Sequence, residues 1–60
     1  MITRIYQCPV IGSGTEDDPF HPSVADAGAS QWSSLSDGLV SVTTDDHDAI
    51  AALPGVTLIG

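Results

Sequence analysis

Sixty residues with a formal net charge of −7, one arginine and no lysine set the first limits on this chain. So few bases argue against binding DNA or RNA, which takes Lys and Arg to neutralise phosphates, and against anionic membrane surfaces. A chain this short forms one small domain at most, residues 1–60, and buries only about 60% of its unfolded surface.

Ile2 to Ile11 reads as the first strand, with Ile2, Tyr6, Cys8 and Val10 on its even face and Arg4 interrupting them. Pro9 lacks an N–H, so regular pairing is expected only through Gln7 or Cys8. Residues 12–31 form an extended, irregular loop in this reading. Gly12-Ser-Gly14 turns freely, while Pro19 and Pro22 forbid helix around them. So long a loop is usually functional or pinned against something, and Phe20, Val24 and Trp32 are its anchors. Trp32 and Leu35 have i, i+3 spacing, which predicts one helical turn placing both on the core.

From Gly38 to Ile59 the chain reads as strand, short helix, strand. Leu39 to Thr43 is apolar and β-branched and follows an Asp37-Gly38 turn signal. A helix from Asp45 to Leu53 is expected, with Thr44 or Asp45 as its cap and acids at its positive end. Pro54-Gly55 ends it, because the residue before Pro is pushed out of the helical region. Val56 to Ile59 is the last strand. The fold class is therefore α+β: a small three-stranded sheet (Ile2–Cys8, Leu39–Thr43, Val56–Ile59) with one short C-terminal helix and a long irregular loop. The expected core is Ile5 or Tyr6, Leu35, Val40, Val42, Ile50, Leu53 and Leu58.

Cys8 is the only cysteine, so no internal disulfide is available, and no Cys/His cluster suggests a structural zinc site. Small domains usually gain stability from disulfides, a metal or a partner. By elimination the expectation is a partner chain; a marginal but independent mini-domain is the alternative. Acidic, lysine-free composition suits solubility in high salt, where screening is short-ranged. A halophilic source is one explanation and ordinary sampling in a short chain the other. No apolar run reaches the roughly 18 residues of a membrane span. The N-terminus lacks the basic region and apolar core of a signal peptide, so the expectation is a soluble product with Cys8 reduced.

No catalytic or metal-binding pattern emerges. Gly12-Ser-Gly-Thr15 lacks the spacing of a phosphate loop, and the acids behind it repel phosphate. Glu16-Asp17-Asp18 lacks the alternating ligands of a calcium loop and reads as a solvated acidic segment. His21 and His47 lie far apart, and His47 suits a capping role better than catalysis. Cys8 reads as a buried, inert thiol. Of the aromatic residues, Trp32 suits core filling and Phe20 an interface anchor.

The stretch Gly12-Ser-Gly-Thr-Glu-Asp-Asp-Pro-Phe-His-Pro22, followed by Ala-rich sequence, Trp32 and Ala52-Leu-Pro-Gly-Val56, resembles a known group. It is similar to short proteins encoded among the head and tail structural genes of tailed viruses of bacteria and haloarchaea. Their pattern is Gly-x-Gly-Thr-Glu-Asp-Asp-Pro-Tyr-x-Pro and a closing helix with Leu-Pro-Gly-Val; Phe20 stands here where the pattern has Tyr. The resemblance implies no catalytic residue and no cofactor. It implies a minor capsid, neck or tail protein, present in the virion and, before assembly, in the host cytoplasm. Its partners would be other virion proteins, in many copies of a symmetric assembly. The rival expectation is a small binding module or inhibitor-like propeptide unit that presents its acidic loop to a partner. On either reading the contact residues are Asp17, Asp18, Phe20, His21, Pro22 and Trp32.

Overall fold

The computed structural model describes all residues, 1–60, and is mostly sheet with one short helix. Its strands are β1 (Ile2–Gln7), β2 (Val10–Ile11), β3 (His21–Pro22), β4 (Gln31–Ser34), β5 (Leu39–Thr44) and β6 (Thr57–Leu58); the helix α1 is His47–Ala51. The main sheet has four strands in the order β4-β5-β1-β6, and β2 and β3 form a separate pair. Each neighbouring pair is antiparallel. The architecture is thus α+β in the broad sense, with four strands in the main sheet where the sequence reading has three.

The added strand is β4. Trp32 and Leu35 were expected to share a helical turn on the core; instead Gln31–Ser34 pairs with β5, and Leu35 is half exposed. The cause lies just downstream. Asp37 and Gly38 have φ values of 57° and 77°, and two successive positive φ values twist the chain into a hairpin. A ladder beyond such a turn forms backbone bonds at every second residue, whereas one helical turn has no neighbours to support it.

Pro9 breaks the first strand as its missing N–H requires. Cys8 still donates to the Gly38 carbonyl at 3.0 Å, extending the β1–β5 ladder. Val10 and Ile11 then pair with Pro22 and His21. The expected irregular loop therefore contains a short ladder and a 3-10 turn at Ser23–Ala25.

The helix is shorter than expected, and its cap is Asp46, whose side chain accepts from the Ala49 N–H at 3.3 Å. Thr44 belongs to β5, and its hydroxyl accepts from the N–H of the cap residue, Asp46. The last strand is also shorter than Val56–Ile59, although Ile59 still donates to the Ile5 carbonyl at 2.8 Å.

One face of the main sheet carries the core: Tyr6, Cys8, Val40 and Val42, covered by Val24 from the 3-10 turn and Ile50 from α1. Val40, Val42, Ile50 and Tyr6 were expected, and Leu53 packs against this cluster partly buried. Cys8, read as a buried thiol, and Val24, read as a loop anchor, complete the core. Leu35 and Leu58 are corrections, 50% and 45% exposed. Leu35 follows an edge strand and Leu58 lies in one, so neither is covered on both sides. Ile5 points to the opposite face and is half-buried. That face also carries the Thr3–Thr43 cross-strand pair, whose hydroxyl oxygens lie 2.6 Å apart.

Candidate functional site

The residues between β2 and β3 are held from within. Asp18 turns back on the loop, and its carbonyl accepts from the N–H groups of Ser13, Gly14 and Thr15 at 3.1, 2.9 and 3.2 Å. Its carboxylate accepts from the Ser13 N–H and hydroxyl, and its own N–H donates to the Thr15 hydroxyl. These are the backbone donors that a phosphate loop would offer to a ligand; here they are consumed internally. A Cβ at Gly14, where φ is 78°, would strike the Phe20 ring, so glycine lets that ring approach the backbone closely.

Phe20 remains 68% exposed. His21 behind it is a fastener. Its Nδ1 bonds the Pro19 carbonyl at 2.7 Å, and its Nε2 bonds Asp26 at 3.2 Å. The carbonyl contact raises the His21 pKa most; slight desolvation opposes this, and Asp26 and Asp18 raise it further. With both ring nitrogens facing acceptors, the imidazolium suits both contacts at once.

The six residues read from the sequence as a contact set thus have different surroundings. Phe20 and Asp17 are exposed. Asp18 and His21 hold the loop. Pro22 is buried. Trp32 belongs to the other sheet, at 40% exposure on edge strand β4, on the same face as Val42, its cross-strand neighbour. Core filling was expected of Trp32; the edge position leaves one side of its ring uncovered.

A second feature was not singled out in the sequence. Tyr6 lies at the centre of the sheet, and its hydroxyl is 2.8 Å from His47 Nδ1, with the two rings stacked at 19°. His47 Nε2 donates to the Ile2 carbonyl, so in the neutral imidazole Nδ1 accepts from the phenol. Both ring nitrogens are therefore engaged in hydrogen bonds within the fold. Burial pushes the Tyr6 phenol above its ordinary pKa; Arg4 pulls it down, and Asp48 raises it. The pair joins α1 to the N-terminal strand. The signal for it was weak, because the two residues are 41 positions apart.

Beside His47 runs an open groove of about 350 Å³, lined by Met1, Ile2, Arg4, Thr44 and residues 45–48. The terminal ammonium meets Asp45 at 3.4 Å, both groups being largely exposed. Such a pair contributes little in water. Nowhere do three or more His, Cys, Asp or Glu side chains converge as a metal would need.

No protein-family model matches the chain, and neither a curated protein nor a solved structure matches it.

Proposed function

We propose that this chain is a non-enzymatic structural and interaction component of a tailed-virus particle, a minor capsid, neck or tail protein. Its partners are other virion proteins, which it meets in many copies. The observation that carries this reading is the presentation of Phe20. A large apolar ring stands exposed on a loop whose own hydrogen bonds hold it in shape. A pre-ordered loop loses less entropy on association, and an aromatic residue ringed by polar groups has the composition of an interface anchor. The motif Gly12–Pro22 supplies the virion context.

In this reading the six residues divide by role. Phe20 and Asp17 meet the partner, while Asp18, His21 and Pro22 shape the loop. The acids Glu16 and Asp17 beside the ring favour a partner surface rich in Arg or Lys.

The same presentation suits the rival reading, an inhibitor-like module that offers its loop to a single target. The two differ in stoichiometry. A mass-spectrometric inventory of purified particles should find the protein at fixed copy number, and Phe20→Ala should lower its incorporation while preserving the fold. Absence from particles, together with a one-to-one complex in cell extract, favours the inhibitor-like module.

A further inference from the structure

Edge strands in natural proteins are guarded by charges, proline, bulges or a covering segment. β4 has none of the first three: Gln31-Trp-Ser-Ser34 is uncharged, free of Pro and Gly, and every residue of it is exposed. Its far side is unpaired, since the sheet order begins with β4.

The hydrogen-bond phase of the strand identifies which backbone groups are open. Leu35 donates to the Leu39 carbonyl at 2.9 Å, in register with the β4–β5 ladder. Antiparallel ladders bond at alternate residues, so Ser33 and Gln31 bond to Ser41 and Thr43. The N–H and C=O groups of Trp32 and Ser34 therefore point away from the sheet.

The uncharged edge admits a second copy. All eight acids lie outside the strands, in the loop, the turns and the start of α1, and Arg4 is the only charged residue in the main sheet. A basic partner is drawn to those acids. A molecule carrying −7 approaches another like it most easily along a surface free of acids, and β4 provides one.

We infer that β4 pairs antiparallel with β4 of a second copy of this chain, across a two-fold axis at Ser33, joining the two sheets into one of eight strands. In this register Trp32 of each copy lies opposite Ser34 of the other. Each such pair exchanges two backbone hydrogen bonds, about four in total. Trp32 meets a small side chain, and the two indoles become diagonal neighbours, within reach of one another. Asp37 falls opposite Ala29 of the second copy, so no acid opposes an acid. The pairing involves a different surface from the Phe20 loop and stands whether or not the protein belongs to a virion.

Four strand residues per copy make a small interface, below the roughly 1,200 Å² of standard stable complexes. A dissociation constant of about 0.1 mM is therefore expected, tightening in molar salt as the −7 charges are screened. Analytical ultracentrifugation of the full chain, with Trp32 emission followed over the same concentrations, tests this. Dimers should form, and the Trp32 and Ser34 amides should gain protection from hydrogen exchange as concentration rises. Ser34→Pro removes an outward N–H without touching the β5 ladder. Ser33→Glu places two carboxylates on the axis. Each should weaken association at least tenfold while the circular dichroism of the fold is retained. If Ser34→Pro fails to fold, Ser33→Glu and the wild-type exchange data decide. A monomer at about 1 mM in both low and molar salt, or a dimer indifferent to Ser33→Glu, overturns the proposal.

Discussion

Truncating Ile50 to Ala examines the link between the helix and the sheet. Ile50 is the only buried residue of α1, at 1% exposure, and joins the cluster of Tyr6, Cys8, Val24, Val40 and Val42. The change removes three side-chain carbons. At about 0.8 kcal/mol per buried methylene, the transfer loss is about 2.4 kcal/mol. The cavity left among rigid neighbours adds to this, giving a total of about 2–5 kcal/mol. A folded chain of this length is stable by only about 3–9 kcal/mol, so one truncation removes a large share. With a urea slope of about 1 kcal/mol/M for so small a protein, the unfolding midpoint should fall by about 2 M or more. The measurement is a urea titration followed by far-ultraviolet circular dichroism at fixed salt. A loss under about 0.5 kcal/mol, the level of an ordinary surface change, would refute the argument that α1 is held by this side chain.

Tyr6→Phe keeps the ring and removes the donor to His47 Nδ1; it should cost about 0.5–1.5 kcal/mol in the same titration, with the imidazole signals of His47 shifted in NMR spectra. His21 has a raised pKa in the folded chain, so the stability it supplies is complete below its unfolded value of about 6.5 and is lost as pH rises through the higher folded value. Melting temperature should fall across that window in the wild type, and His21→Gln should flatten this component. Asp18→Ala deletes the carboxylate that binds Ser13, and Gly14→Ala drives a Cβ into the Phe20 ring. Either should speed proteolysis between residues 13 and 18 while leaving amide protection in β1 and β5 unchanged.

Much of the frame was local and hence legible. β-branched residues mark β5, Pro9 marks the end of regular pairing after Gln7, and the Asp-rich turn before Ala49 and Ile50 marks a capped helix. Each of these depends on backbone preference or hydrophobic period, which neighbouring residues set. The same local logic also held the signal for β4, since Asp37-Gly38 asks for a strand on both sides. Reading Trp32 and Leu35 by spacing alone obscured it. The exposure of Phe20 was likewise readable from its place among acids and prolines.

Only the tertiary structure decided the rest. Val24 enters the core because the β2–β3 pair swings its segment over the sheet, a consequence of partners ten and twelve residues apart. Leu58 stays half exposed because β6 is an edge strand with nothing beyond it. Tyr6 and His47 meet across 41 residues, a contact that no local preference encodes. The division of the loop into a presented Phe20 and fasteners at Asp18 and His21 depends on where the chain returns after the turn. Sequence thus determined which segments prefer strand, turn or helix, since those preferences act between near neighbours. Burial, ladder phase and the open edge of β4 depend on strand order, which only long-range pairing sets.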